Sequence, residues 1–128
     1  MGEETRGPGE YPPLTPAVLD IVVALGDGEL HGYGIMREVG RRTDGGRRLA
    51  PGTLYRSLRQ MQERGLVEEA GEREDRGPGD ERRRYYRLTD LGRRVAVSEV
   101  ARLEGLVRAA RSRGLIPSER PSGALGGA

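Results

Sequence analysis

The fold of this chain is decided by the stretch APGTLYRSLRQMQERG, residues 50–65, which has the marks of one complete helix. Pro51 suits the first helical position, where its missing N–H costs no hydrogen bond. Gly65 suits the left-handed residue that follows a helix. Apolar residues recur along it at helical spacing, which predicts one buried face formed by Leu54, Leu58 and Met61.

The other face of this predicted helix is polar and mostly basic. Tyr55 falls on its border, and the face itself carries Thr53, Arg56, Arg59, Gln60 and Glu63. A polar helix face is ordinarily only solvated. Arginine and threonine are, however, also side chains that contact the phosphates and base edges of DNA. The surrounding sequence has to decide between these two interpretations.

The composition is typical of a small soluble domain. The chain has 128 residues, of which 34% are apolar and 33% are charged, and this length suits one domain. It has no cysteine, so disulfides and thiolate metal sites are excluded. No apolar run approaches the roughly 18 residues of a membrane span. The first residues lack the pattern of a signal peptide, so a cytoplasmic protein is expected.

Charge is strongly segregated along the chain, although the net charge is only +2. All 22 basic residues are arginines. Residues 37–64 and residues 82–94 each carry +5, and residues 66–81 between them carry −5. A charge run alone is usually a solvated face. Two basic blocks that a fold can bring together are a candidate footprint for a polyanion.

The residues before the central helix predict two further helices. Residues 1–13 are rich in Gly, Glu and Pro and are expected to form a mobile arm. A first helix begins with Thr15 as N-cap and Pro16 as first helical residue. Its apolar residues, up to Leu25, point in nearly all directions, so it is expected in the centre of the core. A second, glycine-rich helix is predicted over residues 29–42, followed by a loop.

After Gly65 the pattern changes to that of strands and then to a long helix. Residues 66–70 and 84–88 are predicted to form a β-hairpin around the polar loop 71–81. From Asp90 to about Arg113 the spacing predicts one helix, and residues 114–128 are expected to be disordered. This helix has a heptad-like seam that we predict to mediate dimerisation: Ala96, Val100, Leu103, Val107 and Ala110.

Three helices, a basic hairpin and a long helix are the layout of a winged helix-turn-helix protein. The predicted fold class is therefore mainly α with a small β-hairpin. A DNA-binding domain is expected over residues 14–89 and a C-terminal dimerisation helix over residues 90–113. Because a helix fits the major groove of DNA, we predict that the central helix contacts DNA through Thr53, Tyr55, Arg56 and Arg59.

Several segments resemble the PadR family of transcriptional regulators. The most specific are PGTLY at 51–55 and YYRLT at 85–89 with Gly92; HGYGI at 31–35 and ERGLV at 63–67 also fit. The resemblance covers about residues 14–111. It implies a winged helix of the short subfamily, which dimerises through a single C-terminal helix and binds double-stranded DNA. The family usually represses transcription, often until a small-molecule effector binds, and a two-fold dimer is expected to occupy a pseudo-palindromic operator.

The resemblance also implies which residues face DNA. Gly52, Thr53 and Tyr55 match the start of the recognition helix, Tyr33 matches a helix position near the DNA backbone, and Arg83 or Arg84 lies in the wing. Arg56 stands where the family often has Pro, so it is a candidate contact of this chain's own. The C-terminal helix has no aromatic residue, so the resemblance does not extend to stacking a flat drug.

Other functions find less support in the residues. His31 is the only histidine, and we predict a role in a turn or helix cap rather than in metal binding or catalysis. No metal, no cofactor and no enzymatic activity are expected, because no convergent set of titratable groups is visible. The alternative is a winged-helix module that binds an acidic protein, which predicts negligible affinity for DNA even at low salt.

Overall fold

The computed structural model describes residues 11–74 and 82–117. Its elements in chain order are α1 (Pro16–Ala24), β1 (Leu30–His31), α2 (Gly32–Arg42), α3 (Pro51–Glu63), β2 (Val67–Glu74), β3 (Arg82–Leu88) and α4 (Asp90–Ser112). A 3₁₀ turn, Leu25–Asp27, extends α1. The architecture is mainly helical with a small antiparallel sheet, as the sequence predicts. Its layout is that of a winged helix-turn-helix followed by one long helix.

The core lies among the first three helices. The side chains that are almost completely buried there are Ile21, Leu25, Ile35, Val39, Leu54, Leu58 and Met61. The start of α1 is as predicted, since the Thr15 hydroxyl accepts a hydrogen bond from the Val18 N–H at 3.2 Å. α1 contributes Val18, Ile21 and Val22 to the core as predicted, but its apolar face at Val23 is 47% exposed.

Both ends of α3 follow from the local sequence. Pro51 is the first helical residue, and Ala50 before it offers no side-chain cap. At the other end Gly65 has a φ of +77°, a conformation that costs residues other than glycine about 1 kcal/mol or more. The N–H of Gly65 donates to the Gln62 carbonyl and the N–H of Leu66 donates to the Met61 carbonyl. These two bonds form a Schellman motif, which ends the helix and starts the sheet.

The sheet differs from the predicted hairpin in two ways. Its strand order is β1-β3-β2, and β1 lies at residues that the sequence assigned to the second helix. There Leu30 pairs with Tyr86 and His31 pairs with Tyr85. Strands β2 and β3 are also longer than predicted, because Glu72 pairs with Arg84 and Arg73 pairs with Arg83. These pairings lie in polar sequence and depend on cross-strand contacts rather than on apolar alternation.

The start of α4 is fixed to the end of α3. The Thr89 hydroxyl accepts a hydrogen bond from the Gly92 N–H at 2.9 Å and donates one to the Gly65 carbonyl at 2.6 Å. The Thr89 N–H donates to the Leu66 carbonyl. A Cβ on Gly92 would lie 1.9 Å from that same carbonyl oxygen. Glycine is therefore required at position 92, because the helix and the preceding backbone touch there.

The segment before α1 packs against α4. Tyr11 and Leu14 contact the core, and the Leu14 N–H donates to the Glu99 carboxylate at 3.1 Å. Arg102 donates two hydrogen bonds to that carboxylate, and these lower the pKa of Glu99, with help from the Leu14 N–H. Residues 1–10 of the predicted arm, 75–81 of the predicted loop and 118–128 of the predicted tail lie outside the described residues.

Candidate nucleic-acid interface

The exposed face of α3 carries the side chains that the sequence singled out. Arg56 and Arg59 are exposed and Thr53 is half-buried. An Arg56 amino group lies 3.5 Å from the Thr53 hydroxyl. Among the carboxylates of residues 11–73 and 83–117, none is within ion-pair distance of either arginine. With Leu54, Leu58 and Met61 buried beneath it, α3 presents an uncompensated positive face to solvent.

Tyr55 has a second role that the sequence did not show. A Cβ on Gly32 would lie 2.1 Å from the Tyr55 hydroxyl oxygen and 2.7 Å from Cζ. The end of the ring therefore occupies the space that a side chain at position 32 would need. Gly32 is the first residue of α2, so this contact sets how closely the two helices of the turn motif approach. The Tyr55 side chain is still 45% exposed.

A second tyrosine, Tyr86, anchors the wing. This side chain of β3 is 5% exposed and belongs to the core. Burial raises the pKa of the Tyr86 phenol, the Arg84 guanidinium opposes that rise, and the Tyr55 phenol adds to it. Tyr86 thus holds β3 to the core, while Tyr55 packs against the start of α2.

A second group of side chains surrounds Tyr33, which is 42% exposed on the first turn of α2. The guanidinium carbons of Arg37 and Arg83 each lie 5.4 Å from the centre of its ring. The sequence pointed to Tyr33 and Arg83 separately and missed Arg37. No carboxylate of the described chain forms an ion pair with Arg37. Two guanidinium groups on one aromatic ring concentrate positive charge beside α3.

His31 positions this group. Its Nδ1 accepts a hydrogen bond from the Gly34 N–H at 3.0 Å, so it caps α2, which agrees with the role predicted for it. Its ring stacks against Tyr33 at 6.3 Å and meets the edge of Tyr85 at 5.1 Å. Tyr85 therefore packs against the residue that caps α2. A cap residue thus holds an aromatic stack between α2 and the wing.

Three arginines of the wing contact carboxylates instead. Arg84, a predicted DNA contact, lies 3.7 Å from Glu69 and 3.5 Å from Glu72 across the hairpin. These carboxylates, Glu69 foremost, raise the pKa of Arg84. Arg87 contacts Glu68 and Glu29, and Arg73 also contacts Glu29. Glutamates of β2, together with Glu29, therefore pair with Arg84 and Arg87 of β3, which charge counting along the sequence could not show.

The loop between α2 and α3 is tied to α1 by a buried carboxylate. Asp20, 8% exposed, accepts hydrogen bonds from Arg42 at 3.0 Å and from Arg47 at 2.6 and 2.8 Å. Losing one partner of such a buried ion pair is costly. These two arginines of the first basic block are therefore structural. No pattern in the sequence indicated the pairing, because 22 or more residues separate Asp20 from each partner.

An apolar groove runs along α4. Residues of α4 form one wall, and α1, the following turn and the end of β3 form the other; the lining residues are Val22, Val23, Gly26, Leu88, Arg93, Ala96, Val97, Val100, Ala101 and Glu104. Of the predicted seam, Val100 and Val107 are exposed, whereas Ala96, Leu103 and Ala110 are half-buried. Among the large apolar side chains of the groove, Val97 is the most exposed, at 63%, and the predicted seam omits it.

The described residues contain neither a metal cluster nor a membrane span. No group of three or more His, Asp or Glu side chains in residues 11–74 and 82–117 could hold a metal ion. No described helix is both long enough and apolar enough to cross a membrane. The chemistry of this surface is that of arginine, tyrosine and threonine on a helix-turn-helix and wing. These features define the chain as a winged helix-turn-helix protein with a surface suited to nucleic acid.

The comparison with known families agrees. The family model described as "Transcriptional regulator PadR-like family" matches residues 21–98, and the chain belongs to this family. It is 34% identical over 90 residues to "Transcriptional regulator Rv3488" of Mycobacterium tuberculosis, covering 70% of this chain and 78% of that protein. It is also 37% identical over 90 residues to a 37.1 kDa transposon protein of Streptomyces fradiae, of which it covers 24%. As a member of this family the chain is a transcriptional regulator and not an enzyme.

Solved structures show the same fold at lower identity. A PadR family transcription regulator from Clostridium difficile is 23% identical with a TM-score of 0.64, and the match covers 77% of this chain and 97% of that one. A transcriptional regulator from Clostridium thermocellum is 22% identical with a TM-score of 0.62, covering 74% and 89%. Both support the winged helix-turn-helix with its long last helix.

The contact between Gly32 and Tyr55 generates a stability prediction. Gly32→Ala should destabilise the protein by about 1–3 kcal/mol, because the new methyl group forces the Tyr55 ring aside. In a Tyr55→Ala background the same change should cost much less. Urea unfolding of the two single variants and the double variant measures this coupling.

Gly34→Ala on the same turn is the matched control. A Cβ there would make only ordinary contacts, the nearest at 3.4 Å, so little change in stability is expected. Equal costs for the two alanine variants, or a Gly32→Ala cost that does not depend on Tyr55, would show that the ring does not occupy this space.

Proposed function

We propose that this regulator is a sequence-specific, homodimeric DNA-binding repressor. In this proposal α3 enters the major groove and reads bases through Thr53, Arg56 and Arg59. Gly52 lets the backbone approach the DNA at the first turn of α3. Tyr55 orients the helix and offers its exposed edge to the same groove. The residues around Tyr33 contact the phosphate backbone beside that groove.

The observation that carries the proposal is the uncompensated charge on α3. Arg56 and Arg59 are exposed and have no carboxylate partner in the described chain. Several other arginines are paired within the fold, as Arg42 and Arg47 are by Asp20. The guanidinium group of arginine can donate two hydrogen bonds at once to a guanine edge or to a phosphate. The apolar face of α3 is fully buried and its exposed face carries two such arginines. This helix is therefore suited to a polyanionic partner.

The wing has a narrower role in this proposal than its arginine content predicts. Arg83 lies over Tyr33 beside α2, so it supports a backbone contact. Arg84 lies between Glu69 and Glu72, and it would have to leave them to reach a phosphate. Both acids are about half exposed, and exposed pairs of this kind contribute only about 0–1 kcal/mol. DNA can therefore compete for Arg84.

The dimer is proposed on the basis of α4. Val97, Val100, Leu106 and Val107 leave 43–63% of their surface exposed on this helix, and Val23 lies beside them in the groove. A two-fold dimer places two copies of α3 about one turn of DNA apart, roughly 34 Å, which suits a pseudo-palindromic operator. Occupying such a site is how the dimer represses. Relief by a small-molecule effector is a further part of the proposal, taken from the family.

Selection of binding sites from random DNA duplexes tests this function. The expected result is an enriched palindromic motif with half-sites about one helical turn apart, bound by a dimer and more weakly as salt rises. Arg56→Ala should lower affinity for the selected duplex several-fold. Selection without any enriched motif, together with negligible binding at low salt, would favour the protein-interaction module and contradict the proposal.

Arg37 yields a separate prediction about the backbone. Arg37→Ala should weaken binding to the selected duplex and to a scrambled duplex by the same factor, because a phosphate contact carries no sequence information. The slope of log affinity against log salt should fall by about one. Titrations at several salt concentrations measure both quantities.

Arg108→Ala is the control, since it removes the same charge from the exposed C-terminal part of α4. It should leave the salt slope close to that of the wild type. Identical slopes for the Arg37 and Arg108 variants would remove Arg37 from the interface. A change confined to the selected duplex would instead mean that Arg37 reads bases.

A further inference from the structure

We infer that α4 pairs with α4 of a second copy of this chain in one antiparallel register, in which Arg93 faces Glu104 of the partner subunit. This inference rests on the proposed homodimer and specifies its interface. In the same register Val97 faces Val100 of the partner subunit, and Ala96 faces Ala101 of the partner subunit. Two-fold symmetry makes each of these contacts occur twice.

The argument starts from the part of α4 that lines the groove. Six residues of this helix form its wall: Arg93, Ala96, Val97, Ala101, Val100 and Glu104. The valines lie in the middle, with exposed fractions of 63% and 46%. Arg93 and Glu104 lie at the two ends of the stripe and both are exposed. The groove therefore has an apolar centre and oppositely charged ends.

This stripe is complementary to itself when one copy is reversed. When the two-fold axis passes between Ser98 and Glu99, each valine of the stripe lies opposite a valine, each alanine opposite an alanine, and the arginine opposite the glutamate. Any stripe of residues at helical spacing has the same spacing when it is reversed. The evidence for this register is therefore the types of side chain that come to face each other. An isologous interface requires that the same patch fit its own copy. The two alanines also allow the helix axes to approach closely.

Other arrangements of the two helices bring unfavourable pairs together. A parallel pair would place Arg93 opposite Arg93 of the partner subunit. An antiparallel pair shifted by one helical turn would place Arg93 opposite Arg108 and Val97 opposite Glu104. Like charges facing each other at an interface disfavour that arrangement. Of these three arrangements, the inferred register is the one in which the charged ends and the apolar centre of the stripe both match.

The register also reaches one apolar residue beyond the groove. Val107 shares the face of Val100 on α4, and in this register it comes opposite Asp90 of the partner subunit, at the first turn of the partner's α4. That turn lies beside α1, since the Arg93 guanidinium donates to the Gly26 carbonyl at 3.1 Å. Val107 is 43% exposed and Val23 of α1 is 47% exposed. Each would cover the other in the dimer.

Charge reversal tests this register. Arg93→Glu and Glu104→Arg each create two like-charge contacts in a homodimer, so each should weaken dimerisation about tenfold in sedimentation equilibrium. A mixture of the two variants should form heterodimers in preference to either homodimer, because both contacts then join opposite charges. The double variant Arg93→Glu/Glu104→Arg should dimerise within about threefold of wild type.

Arg94→Glu is the matched control: it reverses an exposed arginine next to Arg93 that does not line the groove, and it should dimerise like wild type. Circular dichroism checks that all variants fold. If wild type is a dimer and each single variant dimerises as tightly as wild type, the register is wrong but the homodimer is not. The same conclusion follows if the mixed variants show no preference for heterodimers. Wild type that is monomeric at all concentrations overturns both.

Discussion

The arrangement of the DNA-facing elements depends on one close contact, in which the end of the Tyr55 ring occupies the space above Gly32. Two helices that meet over a glycine can pack more closely than two that meet through side chains. The wing meets the start of α2 through the rings of His31 and Tyr85. Because α3 packs on α2 over Gly32, a substitution of this buried glycine is expected to shift the exposed side chains of α3.

The distribution of arginine partners separates structure from function in this chain. Asp20 holds the loop before α3, and the glutamates of β2 hold arginines of the wing. Glu68, Glu69 and Glu72 of the acidic block between the two basic blocks thus have a structural role. Arg56 and Arg59 on α3 and Arg37 beside Tyr33 have no carboxylate within ion-pair distance among the described residues and stay exposed. This chain has no lysine, and arginine is suited both to internal ion pairs and to DNA contacts. The planar guanidinium group can donate paired hydrogen bonds to carboxylates and to phosphates alike.

Local sequence predicted the helices well because their ends are set by nearby residues. Pro51, Gly65 and Thr15 act within one turn of their own positions, and the apolar stripe of α3 has a fixed period. The two residues of β1, the lengths of β2 and β3 and the pairing of Asp20 were missed because they depend on partners far along the chain. The same reason explains why Arg37 joined the candidate site only once α2 and β3 were seen side by side.

The central claim is that two copies of α3 enter successive major grooves of one operator. Hydroxyl-radical footprinting of a selected duplex tests it most directly, because the cleavage pattern maps which backbone positions the protein covers. The account predicts two equivalent protected regions related by two-fold symmetry, with centres about 10 base pairs apart. A single protected region, or protection without symmetry on a duplex that the protein binds tightly, would contradict it.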